Sequence, residues 1–368
     1  MAIRNIAILG AGNGGCAAAA DLTLRGYQVR LYTRSPATLQ PIQERGGIEI
    51  VEAGKQQFAA PHLVTREIAQ AVGGADLIMV AAPSVAHDFL GGKLAGLLNE
   101  EQILLMNPGH TGGSLHMAQV LRRSGFRARL RICETVTLTY ICRLVGSARV
   151  EIYRRTSHLR CAAFPGKATS ELVGAVAGIY PNVVPARNVM ETGLANINAI
   201  MHPAGMVGNA GWIEKTAGDF YFYREGITPA IANVIAAVDR ERIRIVESLG
   251  LPPVSFVEIF FQAGLTSESA RASGSVYQAT QESAPNRTIR SPGKLDHRYV
   301  NEDVGFGLVP MAEIGTLAGV QTPVIDALIT LASEMNRVSY RREGLTLEKM
   351  GLSGISLGGF KELLQEGF

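Results

Sequence analysis

Gly10-Ala11-Gly12-Asn13-Gly14-Gly15 stands directly after an apolar run at residues 3–9 and directly before a stretch of helical period at residues 16–24. In that setting the spacing G-x-G-x-x-G is a dinucleotide signature. Gly10 permits a tight turn, Gly12 lets the backbone approach a pyrophosphate, and Gly15 lets the following helix pack closely on a sheet. The unpaired N–H groups of that helix's first turn face the anion, with Asn13 and Gly14 in the same loop. The competing reading, a turn with no ligand, needs one glycine and not four in six residues.

Outward from this loop, short Ile-, Val- and Leu-rich runs alternate with longer helical stretches. That is the pattern of a parallel sheet covered on both faces. Strands are expected at residues 3–9, 28–33, 77–82, 103–106 and 130–133, each followed by turn residues and a helix. Residues 150–184 are expected to add one or two strands and a helix at 168–179. After residue 188 the strand signal fades, and apolar residues recur at three and four through 231–249. Further helices are predicted at 255–261, 310–318 and 323–335, the last two with proline at or near the start. The fold class is therefore α/β, a Rossmann-type doubly wound parallel sheet (residues 1–185) followed by a mainly helical second domain (186–368). The polar stretch 263–298 reads as a mobile flap or a substrate-facing loop.

The 368 residues carry a formal charge of +3, with 47% hydrophobic and 18% charged residues. Such a chain buries a core, and its scattered cations do not suggest nucleic acid as a partner. Cys16, Cys133, Cys142 and Cys161 have neither disulfide-framework nor zinc-ligand spacing, so no metal is expected. No apolar run approaches the roughly 18 residues of a spanning helix, so no membrane segment is expected. The glycine loop follows the amino terminus too closely for a secretory leader, which gives a cytoplasmic expectation.

The end of the second strand discriminates the two nicotinamide cofactors, because a carboxylate there accepts from the ribose 2′-hydroxyl and repels a 2′-phosphate. The residues here are Thr33-Arg34-Ser35, three hydrogen-bond donors and no acid. NADP(H) is favoured on this ground, with NAD(H) the other candidate; in the opposing reading Arg34 stacks on adenine or points to water. Pro83, Asn107 and Thr111 follow expected strands at the carboxyl edge of the sheet. They read equally as contacts to the nicotinamide half or as plain turns.

Among seven histidines, His62, His87, His116 and His158 read as surface or packing residues, which leaves His110 and His202. Pro203 breaks or kinks a helix just after His202, and Asn198 lies one turn before it on the same face. Residues 296–303, with Arg298 and Asp303, form a polar cluster outside any apolar period. By spacing alone this is a solvated loop with local ion pairs. The functional reading has Arg298 fork onto a substrate carboxylate and Asp303 orient a catalytic imidazole.

These segments together resemble the opine dehydrogenase family, the octopine and nopaline dehydrogenase type, and within it the bacterial N-(1-carboxyethyl)norvaline dehydrogenase branch. The resemblance rests on residues 9–15, 107–113, Glu134-Thr135, 196–203, 223–229, 298–303, 307–310 and 346–354, in order and spacing nearly end to end. It implies that His202 is the acid/base, paired with Asp303, and that Arg298 contacts substrate; Asn198 is assigned with Arg298 to substrate binding. Thr33 departs from the acid that NAD-using relatives carry there.

The resulting expectation is reductive condensation of a 2-oxo acid such as pyruvate with the amino group of an amino acid at the expense of NADPH. A homodimer is compatible with the composition. Two other readings share the sequence pattern. One is an NADP-dependent hydroxy-acid or sugar-phosphate dehydrogenase, for which Lys215 is the nearest lysine to the site, and the other is a nucleotide-sensing protein without catalysis.

Overall fold

The computed structural model describes residues 3–368, and the chain divides into two compact units. The first holds residues up to Gly109, Gly113–Val189 and Leu364–Phe368; the second holds His110–Gly112 and Met190–Leu363. The boundary expected at residue 185 falls at the end of a strand, and the first unit continues to Val189.

Among the described residues twelve strands build the first unit: β1 (Asn5–Leu9), β2 (Gln28–Tyr32), β3 (Ile48–Glu52), β4 (Lys55–Ala59), β5 (Leu63–Thr65), β6 (Leu77–Val80), β7 (Ile103–Met106), β8 (Ile132–Thr135), β9 (Tyr140–Gly146), β10 (Arg149–Arg155), β11 (Leu159–Phe164) and β12 (Val183–Pro185). The large sheet has the order β12-β11-β8-β7-β6-β1-β2-β5. From β5 to β8 all neighbours are parallel, with Ile6 of β1 opposite both Val29 of β2 and Leu77 of β6. β11 runs antiparallel to β8, and β12 is parallel to β11. Strand order reverses at β1, the switch point where doubly wound sheets bind ligands. Because both faces are covered, β6, β7, β8 and β11 are buried along their whole length.

The expected parallel strands are present, with ends shifted by up to two residues, and β5 makes a sixth. A second sheet, β4-β3-β10-β9, was not foreseen. Its hairpin β3–β4 turns through Ala53 (φ 49°) and Gly54 (φ 75°), a pair in the left-handed region that suits a two-residue hairpin. The helix Asn13–Leu24 packs against strands of both sheets. This explains its composition: Ala17, Ala18, Ala19 and Ala20 are fully buried, and only small side chains let backbone approach on two sides. Asp21, within this apolar helix, is compensated by the Tyr140 hydroxyl at 2.7 Å and Arg155 at 2.8 Å.

The second unit is helical; among the described residues its sole β pairing is a bridge between Tyr221 and Arg290. The helix expected at 231–249 spans Pro229–Ser248, with Thr228 as its cap and Pro229 in the first turn. The stretch expected to be a flap or loop begins with two short helices, Glu268–Ser273 and Val276–Gln281, whose first turns are capped by Ser267 and Ser275, and is largely irregular from 282 to 297. Its polarity reflects caps and solvent-facing sides. Two elements place the chemistry. The helix Ile197–Gly208 carries Pro203 in its interior, and Arg298–Asp303 runs through a π-helical turn, Val304–Leu308, into Val309–Leu317. The turn lies close to the first of these helices, since a Cβ on Gly307 would sit 2.4 Å from the Ala199 Cβ. Such widened turns recur at functional sites.

Candidate functional site

The glycine loop of the first unit has the geometry that its sequence requires. Gly10 takes φ +118°, and a Cβ there would lie 2.5 Å from the carbonyl oxygen of Ala81, which follows β6. On Gly15 it would lie 1.8 Å from the Gly10 oxygen, whereas Gly12 faces open space. The helix starts at Asn13, three residues earlier than expected, so Gly14 and Gly15 fall in its first turn. The side-chain oxygen of Asn13 accepts from the Leu144 N–H of β9 at 2.9 Å, which ties the loop to the second sheet. An open backbone cradle at a helix N-terminus fits a pyrophosphate.

At the end of β2, Thr33 is buried and its hydroxyl accepts from the Ser35 N–H at 3.3 Å. Ser35 in turn caps the helix Pro36–Arg45. Arg34 is exposed, with its guanidinium 4.8 Å from the centre of the Phe89 ring. Burial raises the Tyr32 hydroxyl pKa above its usual range, while Arg34 and Arg66 pull it back and Glu67 reinforces it. Two arginines and one acid therefore surround this strand end. Phe89 and Arg66 were not singled out in the sequence.

The strand-end residues divide. Pro83 is exposed beyond β6. Asn107 is 2% exposed and its carboxamide is committed internally: it donates to Thr139 Oγ1 at 3.0 Å and accepts from Thr135 Oγ1 at 3.1 Å and the Thr139 N–H at 3.3 Å. Its side chain thus fixes the segment after β8. Thr111 belongs to the second unit, where its hydroxyl donates to the Gly193 carbonyl at 3.0 Å. It too is a fastener.

In the second unit His202 and Asp303 are brought together from residues 101 apart. Nδ1 lies 2.7 Å from Asp303 Oδ2, with both side chains about one-twentieth exposed. A carboxylate at Nδ1 makes that nitrogen the N–H; in the neutral ring Nε2 is then the acceptor, and the Tyr223 hydroxyl, 2.8 Å away, donates to it. Tyr299 stacks flat on the imidazole, with centroids 3.6 Å apart and planes 10° from parallel, and Phe222 closes one edge. The Tyr299 hydroxyl is 3.4 Å from that of Tyr223. Asn198 is half-buried on the same helix as His202, and Asn196 caps that helix.

Arg298 pairs with Glu302 at 2.9 Å and keeps about half of its side chain exposed. Burial works against its charge, but Glu302 and then Asp303 outweigh it and raise its pKa further. Tyr223 and Tyr299 were missed as site residues. Both lie in quoted segments, yet a tyrosine has no spacing rule that separates site from core. His87 and His116 are buried in the first unit, His62 and His158 are exposed, and Lys215 is an exposed residue of the helix Ala210–Thr216. Among the described residues no group of three or more His, Cys, Asp or Glu could hold a metal ion. Among the described residues no helix is long and apolar enough to cross a membrane.

A dinucleotide cradle in a doubly wound sheet and an imidazole–carboxylate pair in a helical unit define an NAD(P)-dependent oxidoreductase. Residues 185–336 match the family model described as NAD/NADP octopine/nopaline dehydrogenase, alpha-helical domain, and residues 6–124 match that of ketopantoate reductase PanE/ApbA. The chain is 34% identical to an opine dehydrogenase of Arthrobacter sp. (strain 1C), over 98% of this chain and 99% of the relative. It is 28% identical to the protein ocs of Agrobacterium vitis, over 97% and 96%. The chain belongs to the opine dehydrogenase family. The fold agrees: an octopine dehydrogenase solved with NADH and L-arginine superposes with a TM-score of 0.77 at 18% identity, over 97% of both chains. A yersinopine dehydrogenase solved with NADP+ gives 0.75 at 15% identity, over 100% and 98%.

Proposed function

We propose that the enzyme condenses a 2-oxo acid, pyruvate among them, with the amino group of an amino acid and reduces the resulting imine with NADPH to an N-carboxyalkyl amino acid. The observation that carries this reading is the buried His202–Asp303 pair with Arg298 on the same short helix as the acid. A solved octopine dehydrogenase of the same fold binds pyruvate, and another binds L-arginine, which supports an oxo acid and an amino acid as the two substrates.

Reduction adds a hydride to the imine carbon and a proton to its nitrogen. NADPH supplies the hydride. Gly10, Gly12, Asn13, Gly14 and Gly15 would hold its pyrophosphate through backbone N–H groups, and Thr33, Arg34 and Ser35 its 2′-phosphate, with Pro83 beside it. Arg34 and Arg66 outnumber the one acid near this strand end, which favours the phosphate-bearing cofactor. His202 exchanges the proton through Nε2, and Tyr223 marks the position a substrate heteroatom takes when it approaches that nitrogen. Asp303 holds the ring in one tautomer and stabilises its protonated form. Arg298 grips a substrate carboxylate, and Asn198, one turn before His202 on its helix, contacts the substrate with it. All four cysteines are unpaired, which accords with work in the reducing cytoplasm.

A second reading, reduction of a 2-oxo acid to a hydroxy acid, draws on the ketopantoate reductase match, which covers residues of the dinucleotide fold. Following NADPH consumption with pyruvate, glyoxylate or 2-oxoglutarate, each with and without a panel of amino acids, separates the two. Oxidation that requires the amine is expected; equal rates without it would replace this reading by the second.

A further inference from the structure

Next to the dyad, and not part of it, stands another buried acid. Glu302 is 3% exposed, and its two carboxylate oxygens face different basic side chains: Oε2 lies 2.9 Å from Arg298 Nη2, and Oε1 lies 3.6 Å from His110 Nε2. Arg298 and Glu302 are four residues apart on one helix and share a face, whereas Asp303, one residue on, turns about 100° away toward His202. His110 comes from a separate stretch of chain in the same unit and takes a left-handed backbone, φ 58°. That turn is braced, because Thr111 donates to the Gly193 carbonyl and a Cβ on Gly193 would meet the His110 oxygen at 2.9 Å.

An exposed i,i+4 pair would mean little. This one differs because the carboxylate is desolvated and must be compensated, while the guanidinium it holds remains half open to a ligand. We propose that Glu302 is a positioning residue: anchored on one oxygen by His110, it aims Arg298 at the substrate carboxylate, while Asp303 independently orients His202. The two consecutive acids thus divide the work, one setting the grip on the oxo acid and the other the proton transfer. The inference rests on the reading of Arg298 as the substrate's cation.

The test compares Glu302→Gln and His110→Asn with wild type at saturating amine and NADPH while the 2-oxo acid is varied. Asparagine is chosen because it tolerates the left-handed backbone. Glu302→Gln keeps the shape and removes the charge. It is expected to raise KM for the oxo acid about ten-fold or more, as for loss of a charge-assisted contact, with kcat within about three-fold and KM for NADPH unchanged. His110→Asn should raise the same KM by about three-fold. The double variant should be no worse than Glu302→Gln alone, since both act along one path. A KM within about two-fold of wild type in Glu302→Gln overturns the proposal, as do a fall in kcat without a KM change and effects that multiply. Should Glu302→Gln fail to fold, an unchanged KM in His110→Asn overturns it. Calorimetric titration of pyruvate into the NADPH-loaded proteins reads the same weakening without turnover. An absence of amine-dependent oxidation in the wild type would therefore count against the proposed reaction and leave the role of Glu302 still decidable.

Discussion

Replacing Arg34 by alanine removes the one cation that directly follows Thr33 at the end of β2. Its guanidinium rests 4.8 Å from the Phe89 ring centre, an exposed cation–π contact of about 0.5–1 kcal/mol. A charge-assisted contact to a 2′-phosphate is worth roughly 1.5–3 kcal/mol. On the proposed reading a bound 2′-phosphate would therefore win the arginine from the ring, with Phe89 holding the side chain near its working position beforehand. Allowing for lost stacking leaves about 0.5–2.5 kcal/mol, so KM for NADPH should rise by about two- to seventy-fold in Arg34→Ala. KM for NADH, which lacks the phosphate, should move by no more than about three-fold. The assay is initial-rate kinetics with each cofactor at fixed oxo acid and amine. Two results would refute the reasoning: a wild-type preference for NADH, or an equal loss with both cofactors, which would place Arg34 at the shared adenosine.

Asp303→Asn removes the buried charge 2.7 Å from Nδ1, and kcat is expected to fall about ten- to a hundred-fold or more with NADPH affinity unaltered; near-normal turnover would make Asp303 merely structural. Asp76 accepts from the backbone N–H groups of Arg4 and Asn5, both at 2.8 Å, and although burial opposes its charge these bonds hold its carboxyl pKa below the usual value. Its contribution to stability is thus complete above about pH 3.9, the ordinary carboxyl pKa, and is lost as pH falls through the lower folded value. Urea midpoints should show Asp76→Asn to be destabilised at pH 7 and progressively less so in acid, and a gap that does not shrink would contradict this. Burial pushes the thiols of Cys16 and Cys142 up to about 12, Cys142 helping to raise Cys16 and Arg143 partly offsetting the rise at Cys142. The native protein should leave a chromogenic disulfide reagent unreacted at pH 8, and urea should release four reactive thiols; a rapid native reaction would place a thiol at the surface.

The dinucleotide fold was legible because its signals are local. A glycine loop between strand and helix fixes its own geometry, and strands buried on both faces, such as Leu77–Val80, read as unbroken apolar runs. The second sheet escaped notice because β4 carries Lys55, Gln56 and Gln57 on an exposed edge, where burial imposes no apolar pattern. His202 was flagged by the proline after it, but its partner Asp303 lies 101 residues away, and only the resemblance joined them. Asn107 and Thr111 were named from their place after expected strands alone. A strand-end position suggests a ligand contact, whereas the hydrogen bonds that saturate the Asn107 side chain come from Thr135 and Thr139, beyond the reach of any local rule. Tyr299 looked like one polar residue in a solvated cluster until the π-helical turn and its glycines brought that segment against the histidine's helix.

Single-turnover reduction in His202→Ala, with NADPH binding measured on the same sample by fluorescence, tests the central claim most directly. Loss of the imidazole should slow imine reduction by about a hundred-fold or more while the dissociation constant of NADPH stays within experimental error. Reduction at the wild-type rate would contradict the account, because the proton would then come from somewhere other than the buried pair.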